Sequence, residues 1–218
     1  MKRISAMVLC GLGLCQVVWA ARPFETDDAG TVAPGTFESE LGSESWSDKG
    51  AFSFGLKHGL TERMDLGVSM GYAAWPEAER SFENAELSAK YSFVPELLSA
   101  SFATTLGTSE YSLNGILSKG FGDLGVNLNL GGDFVGGERH ADLSWGVNPN
   151  YALGPLSLGA EVRGDQRAAQ NWKFGGQLKP VESFAIDLGI GSTIASDPDW
   201  RATAGLWFAF PTLEKKGS

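Results

Sequence analysis

The chain has 218 residues, of which 29 are glycine, and its net charge is −9. This length suits one domain or one large barrel, and the glycine content disfavours long helices because glycine destabilises helix interiors. The acidic balance argues against nucleic acid as a partner, since no basic patch is available to contact phosphates.

The first twenty residues have the pattern of a cleaved secretory signal peptide. Lys2 and Arg3 form a basic start, and an apolar segment follows over 7–18. The small residue Ala20 ends the segment, which predicts cleavage before Ala21. The alternative is an uncleaved membrane anchor, but the apolar run is short for a spanning helix.

Cleavage at this point would change the chemistry of the mature chain, 21–218. Both cysteines, Cys10 and Cys15, lie in the removed segment. A mature chain without cysteine has no disulfide, zinc–thiolate site or thiol nucleophile. Loss of Lys2 and Arg3 leaves 15 basic against 26 acidic residues, a charge of −11.

Residues 21–35 (ARPFETDDAGTVAPG) are rich in proline, glycine and aspartate, which disfavours regular structure. We interpret them as an N-terminal arm on the periplasmic side of a barrel. We expect the arm to form a turn that caps the barrel mouth. The alternative is a short plug or lumen lining in which Asp27 and Asp28 make polar contacts.

The clearest structural signal lies in 110–132. Apolar residues alternate with serine, asparagine and glycine on both sides of a glycine-rich turn at 119–123. A side-chain period of two places each set on its own face of a strand, so the segment is predicted to be a β-hairpin. A soluble sandwich and a membrane barrel both use this pattern.

The same alternation recurs along the rest of the chain and predicts an all-β protein. The predicted strands cover 37–42, 52–57, 64–72, 84–93, 100–106, 111–118, 124–131, 140–147, 156–163, 171–176, 184–191 and 201–210. Twelve is an even number, as a single-chain bacterial barrel requires. We therefore predict a transmembrane antiparallel β-barrel of about 12 strands over 36–210, followed by a C-terminal tail, 211–218.

Two patterns favour a membrane barrel over a soluble sandwich. Short connections alternate with longer or more acidic ones, which fits periplasmic turns and exterior loops. Charges lie well inside the strands on the polar face only, and aromatic residues cluster near strand ends, as in membrane interface girdles. The expected location is the outer membrane of a Gram-negative cell, with outer-membrane lipids and the barrel-assembly machinery as partners.

Three segments resemble the outer-membrane transporter family associated with the meta-pathway of phenol degradation. The first is 22–32 (RPFETDDAGTV) with 35–37 (GTF) and 40–42 (ELG), the second is 55–67 (GLKHGLTERMDLG), and the third is 118–122 (SKGFG). The first two carry the specificity of the resemblance. It implies an outer-membrane barrel that forms a channel or transporter for small, aromatic or hydrophobic compounds, and it assigns no binding residues.

A twelve-stranded bore falls between the filled lumen of eight-stranded barrels and the open channel of large porins. We predict a narrow pore that passes small-molecule solutes, with no enzyme activity, no cofactor and no metal site. Its candidate lumen-lining residues are the charged and amide side chains of the polar faces: Lys57, Glu86, Lys90, Asn127, Asn129, Asp142, Glu161, Arg163, Lys173 and Asp187. Their mixed sign predicts weak charge selectivity.

Two other functions remain open at this point. A structural or interaction barrel would have a filled lumen and would bind a partner through the acidic loops at 76–80 and 196–199. An outer-membrane hydrolase would need a histidine and a serine together on the membrane-facing side near the outer rim. His140 and Ser144 are the candidates, with Asp142 between them, but their parity places them on the inward face.

Overall fold

The computed structural model describes residues 23–137, 141–194 and 197–211. The predicted signal peptide, 1–20, and nearly all of the predicted tail lie outside the described residues. No helix in the described ranges has the length and hydropathy needed to cross a membrane.

The described residues form an all-β structure in which each strand pairs with at least one of its two sequence neighbours. The strands are β1 (Thr36–Trp46), β2 (Gly50–Thr61), β3 (Met64–Trp75), β4 (Ser81–Phe82), β5 (Glu86–Val94), β6 (Leu98–Thr105), β7 (Glu110–Phe121), β8 (Leu124–Val135), β9 (Asp142–Leu153), β10 (Leu156–Asp165), β11 (Ala169–Val181), β12 (Phe184–Thr193) and β13 (Trp200–Pro211). A single turn of 3-10 helix covers Glu77–Glu79.

The sheet closes on itself, since β1 pairs antiparallel with β2 on one side and with β13 on the other. Leu41, for example, lies opposite Phe54 on β2 and opposite Leu206 on β13. The two-residue β4 pairs only with β3, so twelve of the described strands make the ring. Closure leaves no open sheet edge. The prediction of a twelve-stranded antiparallel barrel is confirmed.

The two faces of the barrel have opposite chemistry. Large apolar side chains point outward and are exposed, as for Leu130 (68%) and Leu188 (62%) in the middle of their strands. Charged side chains such as Glu40 and Glu161 are almost fully buried on the inner face. An apolar exterior around a polar interior is the arrangement that a barrel surrounded by lipid requires.

The two ends of the barrel differ in their connections. At one end the strands are joined by two- or three-residue turns, such as 122–123 and 182–183. At the other end the described connections range from three residues, at 47–49 and 166–168, to ten at 76–85, which contains the helical turn and β4. We refer to these as the short-turn end and the long-loop end. The predicted alternation of connection lengths holds for 76–85 and 106–109 but not for 47–49 and 166–168.

The strands extend further than the sequence pattern predicted. The predicted strands end at residue 147 and resume at 156, but β9 continues to Leu153 and only Gly154 and Pro155 connect it to β10. Pro149 has no N–H to donate, and the β9–β10 ladder is interrupted at this point. The side-chain amide of Asn148 donates instead to the carbonyl of Ala160 (2.8 Å), which keeps the strands together.

Candidate functional site

The N-terminal arm lies inside the barrel. Thr26, Ala29 and Val32 are buried, and they contact strands on opposite sides of the ring. The expectation of a turn that caps the mouth is therefore wrong, and the alternative of a plug is the one observed. The physical reason is that the polar lumen offers partners for an arm that has no sheet of its own.

Arm backbone groups are satisfied by side chains of the barrel wall rather than by a β-ladder. Ala29 accepts a hydrogen bond from the Ser99 hydroxyl (2.5 Å), and its N–H donates to Ser118 Oγ (2.8 Å). The N–H of Val32 donates to the Asp65 carboxylate at 3.0 Å. Buried backbone groups need such partners, so the serines and carboxylates of the inner face hold the arm in one position.

The base of the arm is fixed to β2 near the short-turn end. The N–H of Gly35 donates to the carbonyl of Gly59 at 2.9 Å, and Pro34 forms a bridge with the same residue. A Cβ built on Gly59 would lie 2.1 Å from the carbonyl oxygen of Ala33. Glycine is therefore required at this close approach of two backbones.

The middle of the arm contacts Lys90 on β5 and Asn129 on β8. The Asp27 carboxylate lies 2.7 Å from Lys90 Nζ, which also donates to the carbonyls of Asp28 and Gly30. Asn129 accepts from the N–H of Asp27 and donates to its carbonyl. The expectation that Asp27 makes a polar contact, which belonged to the plug alternative, is confirmed.

The start of the described arm reaches a cluster of three cations on three strands. Glu25 lies 2.7 Å from Lys173 on β11 and 3.4 Å from Arg201 on β13, and it also forms an ion pair with Arg163 on β10. Glu44 on β1 lies 3.4 Å from both Lys173 and Arg201. We call Arg163, Lys173 and Arg201 the cation cluster.

A cavity of about 240 Å³ remains inside the barrel beside the arm. Its volume corresponds to roughly eight water molecules in the liquid. Phe24, Glu25, Thr26 and Asp27 form part of its wall. Most of the remaining wall comes from the inner faces of β5–β10 toward the long-loop end, including Glu86, Ser112, Asn114, Asp133 and Ser144. The start of the arm therefore forms one side of the cavity.

The candidate residues chosen from the sequence fall into three groups. Lys57, Glu86, Lys90, Asn129 and Arg163 line the cavity. Glu161 and Lys173 are buried beside the arm, where the N–H of Thr26 donates to Glu161 at 2.5 Å. The structure thus brings seven of the candidates together around the arm and the cavity.

The other three candidates lie elsewhere on the same face. Asn127 donates to Asn148 at 3.3 Å and accepts from Ser118. Asp187 is buried and accepts a hydrogen bond from Gln177 at 2.9 Å. Asp142 is exposed at the start of β9, near the long-loop end. These three side chains are not part of the wall of the cavity.

Several residues of the site were not among the candidates. Glu25 lies in the arm, where only Asp27 and Asp28 were considered. Glu44 was missed because β1 was predicted to end at residue 42, whereas the strand continues to Trp46. Arg201 has the parity of the inner face, so the alternation of β13 contains the signal that identifies it.

The hydrolase alternative gains no support from the described residues. Ser144 lines the internal cavity, whereas the mechanism needs a serine that faces the membrane. Asp142 belongs to the same face of β9, and His140 lies outside the described residues.

Fold and lumen together define a closed twelve-stranded barrel of the outer-membrane, porin-like class. The KdgM porin superimposes with a TM-score of 0.61 at 15% identity, over 79% of this chain and 99% of its own. The NanC porin has a TM-score of 0.57 at 10% identity, over 79% and 98%. A TodX deltaS2S3 mutant, described as a monoaromatic hydrocarbon channel, has a TM-score of 0.54 at 9% identity, over 83% of this chain and 91% of its own.

These proteins share the fold of this chain but little of its sequence. No protein-family description matches the chain, and no curated protein sequence matches it. Identities of 15% and below establish the fold class alone. The resemblance to the meta-pathway transporter family therefore stays a prediction.

Proposed function

We propose that this protein is an outer-membrane channel for small polar solutes whose lumen is closed by its own N-terminal arm. The observation that carries the proposal is the cavity of about 240 Å³, which lies inside a closed barrel and is lined by charged and amide side chains. The structural alternative predicts a lumen filled by side chains, as in eight-stranded barrels. The polar cavity is the feature that the channel explains and the structural alternative does not.

The arm makes the resting state of this channel closed. It crosses the lumen from the cation cluster to Gly59, and it is held there by hydrogen bonds and ion pairs rather than by strand pairing. Each such hydrogen bond contributes about 1 kcal/mol net. Release of the arm would leave all twelve strands of the ring paired, so the plug can move while the barrel stays intact.

Location and partners follow from the same features. The exposed apolar band on the exterior fits outer-membrane lipids, and the short-turn end fits the periplasmic side. Delivery by the predicted signal peptide and insertion by the barrel-assembly machinery complete the proposal. We propose no enzyme activity. The charged and polar side chains described in the lumen have other roles in this proposal, since they hold the arm or line the cavity.

The resemblance to the meta-pathway family implies aromatic or hydrophobic solutes. Phe24 is an aromatic residue of the arm that lines the cavity, but most of the wall is polar. A polar wall favours solutes that hydrogen-bond or carry charge, because charged wall groups lose hydration against an apolar solute. We therefore place polar solutes before apolar ones.

The proposal is tested with cysteines at two neighbouring positions of β7. Ser112 lines the cavity, whereas its neighbour Tyr111 is 41% exposed on the exterior and is not part of the cavity wall. In planar bilayers, a charged thiol reagent should reduce the current through Ser112→Cys and leave Tyr111→Cys unchanged. A folded barrel without current, or an equal effect at both positions, would reject the channel and favour the structural alternative.

The structural alternative assigned partner binding to the acidic loops. In the described part of these loops, Glu77 forms an exposed ion pair with Arg80 at 3.5 Å within the helical turn. Exposed pairs of this kind contribute little, and Glu79 leaves 76–80 with a net charge of −1. The second loop, 196–199, is described only from residue 197 onward.

A further inference from the structure

The cation cluster is built by the barrel wall around a carboxylate that belongs to the arm. Arg163, Lys173 and Arg201 come from three strands of the ring, and all three reach the carboxylate of Glu25. The side chain of Lys173 is 3% exposed, those of Arg201 and Glu25 are 14% exposed, and that of Arg163, which lines the cavity, is 22% exposed. The three cations therefore meet one carboxylate at a largely buried site that the cavity reaches on the side of Arg163.

The charges in this region balance only when the arm is in place. Three cations face three carboxylates, namely Glu25, Glu44 and the cross-strand neighbour of Lys173, Glu161. Withdrawal of Glu25 leaves three cations against two carboxylates, an excess of one positive charge. A buried charge without a partner is costly, so the vacated site would attract an anion.

Glu25 is also the member of this group that can leave. Each of the cations and the other two carboxylates is fixed to the ring by its strand. Glu25 is carried by the arm, and the bridge at Pro34 is the only strand-type pairing among the arm residues described, 23–35. A solute that brings its own carboxylate can take the same three ion pairs, and the cavity already extends to Glu25 and Arg163.

We propose that Arg163, Lys173 and Arg201 form a carboxylate-binding site in the channel, with Glu25 as its displaceable resident occupant. This inference rests on the proposed channel function and names its solute class as small carboxylates. A carboxylate entering from the cavity replaces Glu25 and releases the start of the arm. A tethered competitor acts at an effective concentration in the millimolar range, so displacement requires millimolar solute or more.

The first test measures release of the arm and needs no conductance. Ala29 is fully buried, and the chain from residue 21 contains no cysteine, so Ala29→Cys reports arm exposure through its rate of alkylation. Thr31→Cys serves as a second reporter if the first disturbs packing. Potassium acetate at 100 mM should raise the rate by about threefold or more over potassium chloride of equal ionic strength. Neutral acetamide should have no effect.

Two matched variants separate the site from a general loosening of the arm. Lys173→Gln removes a cation that holds Glu25, and the acetate effect should disappear. Lys90→Gln removes a cation that holds Asp27 instead, and the acetate effect should persist even where the basal rate rises. An acetate effect equal to that of chloride, or one that survives in Lys173→Gln, would overturn the inference.

The second test measures ion selectivity in bilayers. Glu25→Gln should shift the reversal potential in a potassium chloride gradient toward anions, and more than Asp27→Asn does, although both remove one arm carboxylate. Current without this difference, together with no acetate effect, rejects the carboxylate site but keeps the channel. An acetate effect in a barrel that never conducts rejects the channel and keeps the site.

Discussion

The carboxylate of Glu25 lies 2.7 Å from the ammonium of Lys173, although one belongs to an irregular arm and the other to the middle of β11. This ion pair fixes the start of the arm inside the barrel. It also explains why Lys173 can be almost fully buried, since a buried cation needs a partner.

Replacing Glu25 with glutamine should destabilise the protein. The change leaves one uncompensated cation in the cluster, so the free energy of unfolding should fall by about 3 kcal/mol, measured by urea titration in detergent. Glu77→Gln is the control, because its ion pair with Arg80 is exposed and should contribute less than about 1 kcal/mol. Equal losses in the two variants would contradict the buried role of Glu25.

Removing the two hydroxyls that hold Ala29 should loosen the arm. Ser99→Ala combined with Ser118→Ala deletes two hydrogen bonds to the arm, of about 1 kcal/mol each, and one within the wall, from Ser118 to Asn127. Loss of the two arm contacts should raise the fraction of time that the channel conducts by roughly thirtyfold in single-channel recordings. Ser88→Ala, a cavity-lining serine without a hydroxyl contact to Ala29, should behave like the wild type. An unchanged open time in the double variant would show that these contacts do not hold the plug.

A methyl group at Gly59 should push the base of the arm away from β2. Its Cβ would lie 2.1 Å from the Ala33 carbonyl oxygen, a distance that backbone atoms cannot tolerate. Gly59→Ala should therefore increase arm exposure to protease and raise the conducting fraction. Gly120→Ala is the matched control, since no atom lies within 4 Å of its Cβ. Similar behaviour of both variants would argue against the close approach.

A charge in the middle of the exterior face should oppose insertion into lipid. Leu130→Lys places an ammonium at a position that is 68% exposed and central in β8. It should cost about 2–4 kcal/mol in folding into lipid vesicles, whereas Phe121→Lys near the short-turn end should cost about 0–1 kcal/mol. Equal costs at the two depths would indicate that the band at Leu130 does not face hydrocarbon.

The fold could be predicted from the sequence because alternation is a local signal. Each strand carries its own period of two, so Leu41, Leu130 and Leu188 were assigned to one face without knowledge of their neighbours. The strand ends were predicted less accurately. β1 continues past Gly42 through Glu44, and β9 continues past Val147 through Pro149, although glycine and proline are typical of turns. In a closed sheet the neighbouring strands decide such positions.

The position of the arm could not be predicted in the same way. Its sequence has no periodicity, so local propensity says only that it is irregular. Its hydrogen-bond and ion-pair partners are spread over β2, β3, β5–β8, β10, β11 and β13. Glu25 forms ion pairs with Arg163 and Lys173, which are more than 130 residues away in the sequence. Closure of the ring places these cations around the arm. Arm residues are therefore the part of the site that required the structure.

The most direct measurement compares the conductance of the full mature chain with that of a chain lacking residues 21–33, both shown to be folded by heat-modifiable mobility on gels. A channel plugged by its arm predicts rare openings for the full chain and steady current for the shortened one. Folded barrels that give no current with or without the arm, or the same current in both, would contradict the proposed plugged channel.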